Sequence, residues 1–501
     1  MTPLLASLDV TFKALAPRSG DWQAILPEIC VAGLGLLCLL QALILPVTQR
    51  WLIPATTRVG LALIMVMSLV PVSHWNSSEP TFAGLLMPHL PLIGVRLVFL
   101  FSALLTSLLA ESFLRERQAS VPDYHHVLLI ITSALMLLGQ ANHFVTFFVC
   151  LETAAVGLYI LVGYLRRSAA SLEAGVKYLV MGGLSSALLL MGIVLVYGSL
   201  GSLGVKDPLN FVEIQVAIEA GKFTALTLVG TALILGGAAF KLGAFPFHTW
   251  IPDVYQGAPT PTTALLATAS KAAGAFSLFL LVNVPFHGLA VRTAPLLAVL
   301  TVITILVGNL GALATTNIKR VLALSGVSHA GFLLAIITVS LVQPEASAIK
   351  WSAADTLWVY LLAYIVGTFL TTQALLAMPT AEDHHRPILA LRKLFRRSPI
   401  LAGALGFGLS SLAGVPPTVG FAAKLLVLIL LVQAKLWWVL GAALIGVTIS
   451  IHYYFSILRE AVIRPSDDNE EVAVLPTSGL VRFIIGFLAA VTVLGSLLIF
   501  I

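Results

Sequence analysis

Apolar runs of membrane length succeed one another along this sequence, and they constrain its fold more than any other feature. Fourteen can be marked, near 25–46, 54–73, 92–113, 124–140, 143–163, 172–198, 223–247, 260–284, 293–313, 320–341, 354–378, 399–433, 436–458 and 479–500. A helix needs about 20 apolar residues to cross the hydrocarbon core. Inside the bilayer each backbone polar group must be bonded within the protein, which selects helices here. The expected fold is therefore all-α, a polytopic membrane protein of about 14 transmembrane helices. Charge is sparse enough to agree: 10% of residues are charged and 59% hydrophobic, against roughly a quarter charged in soluble proteins.

The net charge of +6 is explained by topology rather than by nucleic acid. Lys and Arg collect after odd-numbered runs, as Arg50, Arg115, Arg117, Arg166, Arg167, Lys319, Arg320, the cluster Arg386–Arg397, Arg459 and Arg464. The other side holds only Lys13, Arg18, Lys206, Lys222, Arg292, Lys350 and Lys435. Basic loops stay in the cytoplasm, so both termini are expected outside it. Residues 1–24 lack a cleavable signal pattern, and Leu26 to Leu45 forms the first long run.

Two runs are broken. Residues 223–247 end in Lys241, Gly243 and Pro246, followed by His248 and the polar turn from Ile251 to Pro261. Residues 399–433 are too long for one straight span and contain Gly414-Val-Pro-Pro417. Five spans separate the two breaks, and an odd number turns the second unit over in the membrane. Spans 4–8 and 9–13 thus read as inverted five-helix repeats, a transporter arrangement, with spans 7 and 12 broken. The division follows: 1–123 an N-terminal three-helix segment, 124–284 the first repeat, 285–460 the second, and 461–501 a loop with span 14. The symmetry is imperfect, because lysine precedes the first break and follows the second. Phe211, Ile214 and Ile218 mark an interfacial helix in loop 199–222. Leu391, Leu394 and Phe395 line one side of the basic loop 379–398, a segment suited to anionic headgroups.

Within the spans lie Lys177, Lys241, Lys271, Lys424 and Glu152. A lysine near mid-bilayer costs about 2.5–3.5 kcal/mol on the lenient insertion scales, so it is rarely idle. One such residue is adequately explained as a polar tie between helices; five, with lysine in both halves, are not. The chemistry suits protons: burial disfavours a lysine's charged form and a nearby carboxylate favours it. Glu152 and Lys241 form such a pair in principle. His248 at the break and His329 in span ten are candidate relays. Glu173, four residues before Lys177, has the favourable helical spacing for an ion pair. Glu28 and Glu111, at span ends, are expected to reach the interface. His384-His385 beside Glu382-Asp383 lacks proper metal-ligand spacing. Cys30, Cys38 and Cys150 all sit in apolar runs, short of the four ligands an iron–sulfur cluster usually takes. With no glycine-rich nucleotide fingerprint either, the expectation is no metal site and no redox cofactor in this chain.

Four stretches, LETAAVGLYILVGYLRRSAASLEAGVKYLVMGGLSSALLL, FKLGAFPFHTWIPDVYQGAPTPTTALLATASK, NIKRVLALSGVSHAGFLL and SLAGVPPTVGFAAKL, resemble in that order the antiporter-like subunits of respiratory complex I, most closely the N-type. The resemblance covers about spans 4–13. It implies that Glu152 matches the family's span-five glutamate, Lys241 the lysine of broken span seven, Lys271 that of span eight, and Lys424 that of broken span twelve. Lys177 matches a further lysine in span six. Lysine at 424 argues against the M-type, and the missing lateral helix against the L-type. Ala423 departs from the glycine more common before the last lysine. The implied function is that of a non-redox subunit of a proton-translocating NADH:quinone oxidoreductase, a translocase complex in the bacterial cytoplasmic (inner) membrane. NADH, FMN, iron–sulfur clusters and quinone would sit in or near other subunits. Implied partners are the M-type and small K/J-type membrane subunits and the lipid bilayer, with no nucleic acid. Two alternatives stand beside it: a subunit of a multisubunit cation/proton antiporter or membrane-bound hydrogenase, and a structural membrane scaffold.

Overall fold

The computed structural model describes residues 17–70, 79–342, 351–378, 382–462, 475 and 477–500; the expectations on Lys13, Lys350 and Arg464 lie outside them. Thirteen helices among the described residues are long and apolar enough to cross a membrane. Two shorter apolar helices, Pro399–Ala413 and Val419–Gln433, form the halves of the twelfth span. All fourteen expected runs are thereby accounted for, and the short helix Phe211–Glu219 lies between the sixth and seventh with Phe211, Ile214 and Ile218 buried.

Both breaks are built alike. The seventh span, Ala225–Leu242, stops at Gly243 with φ 81°, and the first half of the twelfth, Pro399–Ala413, stops at Gly414 with φ 81°. Glycine enters this left-handed conformation without the Cβ clash that other residues meet. A proline follows each glycine within three residues, Pro246 in one case and Pro416-Pro417 in the other, and removes the backbone donor needed to continue. Helix resumes at Trp250–Gly257 and at Val419–Gln433, the latter capped by Thr418, which accepts from the Phe421 amide.

The packing repeats as well. The fourth span lies on the fifth and the ninth on the tenth, while the sixth packs along the seventh and the eleventh along the first half of the twelfth. This is the pairing expected of two equivalent five-helix units. The eighth span, Thr260–Asn283, is buried along its whole apolar window, whereas the fourteenth is only 22% buried. Spans eight, ten and eleven form the interior, and the outer helices turn their leucines and valines outward. A π turn, Leu266–Ser270, stands immediately before Lys271; such turns insert an extra residue and re-aim the side chains after it.

Two carboxylates expected at the interface are engaged within the N-terminal segment. Glu28 is buried, taking Arg96 Nε at 2.8 Å and Nη2 at 2.9 Å on its two oxygens, with Gln140 Nε2 at 2.9 Å. This fork joins the first, third and fourth spans. Arg96, five residues into the third apolar run, is a further charge within a span, one that the sequence alone does not single out. Pairing makes it tolerable: a bidentate guanidinium–carboxylate contact offsets part of the desolvation of both ions. Glu111 meets Arg58 at 2.5 Å and Arg115 at 2.8 Å. Arg58, a charge inside the second apolar run, therefore has its counter-ion on the third span.

Candidate functional site

Lys241 occupies the last turn of the seventh span and is buried, at 6% exposure. Its Nζ lies 3.6 Å from Glu152 Oε1 of the fifth span and makes no hydrogen bond. The rings of Tyr159 and Phe240 face the ammonium at 5.9 and 6.0 Å from their centres. Ser186 of the sixth span, which sequence reasoning missed, donates to the same Glu152 oxygen at 2.6 Å. The signal was weak, since a serine in an apolar helix usually bonds only to its own backbone.

Lys271 arrives from the eighth span and donates to the Leu242 carbonyl at 3.3 Å. That carbonyl belongs to the residue after Lys241 and to the end of a broken helix, where no amide follows to satisfy it. Lys424 repeats the arrangement at the second break, donating to the Ala413 carbonyl at 2.8 Å and reaching Ser450 Oγ at 3.4 Å. Both ammonium groups lie at helix C-termini, the negative end of the macrodipole. His329, buried in the tenth span, bonds through Nδ1 to Tyr360 Oη at 2.7 Å. A cavity of about 10 Å³ is lined by His329, Tyr360, Tyr364, Ser411 and Lys424.

Three sequence candidates fall apart from this group. Lys177 is 45% exposed on this chain and pairs with Glu173 at 2.8 Å and Asp253 at 3.2 Å. Its helix, Ala169–Ser202, has 34 residues. That is roughly 50 Å at 1.5 Å per residue, more than the roughly 30 Å core requires. Asp253 is shared with Arg320 at 2.9 Å. His248 stacks on Phe245 and is bonded to none of the four lysines. A surface cleft of about 1040 Å³ lined by Arg117, Arg166, Arg167, Glu173 and Glu382 lies beside this cluster, and none of Lys241, Lys271 or Lys424 lines it.

The loop after the eleventh span is more than a headgroup-facing segment. Of the three apolar residues on that side, Leu391 and Leu394 are buried and Phe395 is exposed. Asp383 is buried against Lys319 at 3.2 Å and Arg386 at 2.8 Å. It also takes the amide and hydroxyl of Thr260, at 3.0 and 2.7 Å, at the start of the eighth span. Burial pushes the Asp383 carboxyl up, but Lys319 and Arg386 outweigh it and hold the group well below the usual carboxylate range. Sequence counting placed Lys319 in a basic loop; it is 1% exposed. Among the described residues no group of three or more His, Cys, Asp or Glu is placed to hold a metal ion.

Residues 141–450 match the family described as NADH:quinone oxidoreductase/Mrp antiporter, membrane region. The chain is 42% identical over 456 residues to NADH-quinone oxidoreductase subunit N 1 of Opitutus terrae, covering 89% of this chain and 88% of that one. It also resembles a chain of the respiratory complex I from Thermus thermophilus solved with bound aureothin, with TM-score 0.75, 29% identity, and coverage of 94% and 97%. A chain of the Mrp complex from Dietzia sp. shares the fold, at TM-score 0.75, 19% identity, and coverage of 95% and 96%. With its paired breaks, buried lysines and matched length, the chain belongs to the NADH:quinone oxidoreductase/Mrp antiporter family, and within it to the N subunits of NADH-quinone oxidoreductase.

Proposed function

We propose that this chain moves protons across the bacterial cytoplasmic membrane as a non-redox subunit of an NADH:quinone oxidoreductase. NADH oxidation and quinone reduction take place in neighbouring subunits of the complex, and this chain, with no redox cofactor of its own, is coupled to them. The observation that carries the reading is the contact of Lys241 Nζ with Glu152 Oε1 at 3.6 Å, in a site where the lysine is buried and otherwise unbonded. A pair of this kind changes its proton affinity when either member moves or changes charge. Lys271 and Lys424, each on the end of a broken helix, continue the route through the interior, and His329 lines one cavity with Lys424. Lys177 with Glu173 forms an exposed ion pair apart from that buried route, and His248 lines the first break. Both termini lie outside the cytoplasm, with Arg117, Arg166, Arg167 and the 386–397 cluster inside, and tags at the termini and in the 379–398 loop test that topology.

Lys241→Arg tests the function. Arginine keeps the charge but does not release a proton at accessible pH, so the assembled complex should lose most of its proton translocation, as with Lys241→Met. A near-normal proton yield in the arginine variant would make Lys241 a fixed charge and end the relay reading.

A further inference from the structure

We infer that Ser186 is a positioning residue for Glu152, fixing where the carboxylate stands relative to Lys241; this rests on the proton-translocating role proposed above. Ser186 Oγ lies 2.6 Å from Glu152 Oε1, the oxygen that Lys241 Nζ approaches only to 3.6 Å. Because Lys241 Nζ makes no hydrogen bond, the hydroxyl is the closer and better-directed group on that oxygen. The same Oγ lies 3.0 Å from the Gly182 carbonyl, one turn back on the sixth span. A hydroxyl has one proton to donate, so the two acceptors compete for it. With Glu152 ionised, the charge-assisted bond wins and the proton points at the carboxylate. With Glu152 protonated, the carboxyl O–H donates to Oγ and the serine turns its own proton to the Gly182 carbonyl. A rotation about one side-chain bond thus holds the carboxyl in both protonation states, with no backbone movement.

The neighbouring residues make the approach possible. A Cβ at position 182 would overlap Tyr159 Oη, so glycine there lets the fifth and sixth spans come close. Tyr159 is also the ring facing Lys241. Ser186 stands one turn further along, at the height of Glu152.

The test uses the native complex, reconstituted in vesicles, with Ser186→Ala and Ser186→Thr. Two readouts are taken: the infrared difference band of the carboxyl group that Glu152→Gln abolishes, and the turnover of NADH oxidation coupled to proton translocation. Alanine should move the band to the frequency of a less strongly bonded carboxyl and lower coupled turnover about tenfold, within the range for a hydrogen bond to a charged group. Threonine, which keeps the hydroxyl, should restore both. An unmoved band in the alanine variant overturns the assignment, and so does a loss of turnover that threonine fails to rescue. Should the alanine complex not assemble, Ser186→Cys keeps the size with a weak donor and must show the same band shift. Failure of the underlying reading shows separately, as a normal proton yield in Glu152→Gln itself.

Discussion

At the first break a lysine reaches the open end of a helix from the neighbouring span, Lys271 on the Leu242 carbonyl; at the second it comes from the same span's other half, Lys424 on the Ala413 carbonyl. The acceptors are equivalent, each being the last residue before the left-handed glycine. The lysines are not equivalent in sequence. A helix that ends in the membrane leaves bare carbonyls and a negative dipole end, and a cation answers both needs wherever it is attached. The difference has a consequence in the first repeat. With Lys271 on the helix end, Lys241 is released to face Glu152, giving a true ion pair. In the second repeat Lys424 does the capping alone, with Ser450 and the His329 cavity as its other neighbours. One half is organised as lysine against carboxylate, the other as lysine against neutral polar groups.

The largest effects should come from removing those lysines, and they should differ in kind. Lys241→Met and Lys424→Met are both expected to abolish most proton translocation. Only Lys241→Met strands a carboxylate, and removing one member of a buried pair destabilises by about 3–5 kcal/mol, less here because Glu152 is 22% exposed. Lys241→Met should therefore also lower the yield of assembled complex, and Glu152→Gln added to it should recover assembly but not pumping. Lys424→Met should leave assembly closer to normal. Equal assembly defects in the two variants would erase the distinction.

Next in size is Asp383→Asn, which loosens the start of the eighth span and so the helix that carries Lys271. It leaves Lys319 buried without its counter-ion, at about 3 kcal/mol. Asp383 is depressed in the folded state, so its contribution is complete above the unfolded value, about 3.9. It is lost as pH falls through the lower folded value. Thermal unfolding of the wild-type complex should show no dependence on this group between about pH 5 and 8 and a loss below about pH 4. The asparagine variant should be weaker at pH 7 and lack that acid limb.

The glycines sharpen the comparison further. An alanine at φ near 81° costs roughly 1–2 kcal/mol at either site. At 243 the new Cβ runs into the flexible end of Ile251, whereas at 414 it meets Lys424 Cδ at 2.7 Å. Gly414→Ala should thus lower the proton yield more than Gly243→Ala for a similar loss of stability, measured by unfolding and by proton uptake in vesicles.

What sequence could and could not show follows from the same physics. Spans and breaks were legible because apolar length and the Gly–Pro punctuation at 243–246 and 414–417 act locally. Lys241, Lys271 and Lys424 stood out because a lysine in an apolar run is too costly to persist without a use. Arg96 with Glu28, and Asp383 with Lys319, were missed because each pair joins elements at least 64 residues apart. From one element alone, each half of such a pair looks like an interfacial charge. The apparent asymmetry of the repeats had the same origin, since position in the chain does not reveal which lysine reaches which carbonyl.

Lys177 gives the smallest expected effect and the cleanest control on the comparison. Like the buried lysines it sits in an apolar run, but it alone has a carboxylate one turn before it, and its side chain is 45% exposed and tied to Glu173 and Asp253. Exposed ion pairs are worth about 0–1 kcal/mol, because water solvates both partners and salt screens them. Arg320 also holds Asp253, so losing the lysine does not strand the aspartate. Lys177→Met should therefore leave assembly unchanged and proton yield within about twofold of wild type, with the remaining effect fading as ionic strength rises. Lys241→Met, assayed beside it, should lose nearly all translocation at any salt concentration. If Lys177→Met instead stopped pumping at high and low salt alike, the exposed cluster would belong to the proton route, and burial would no longer separate the working lysines from the rest.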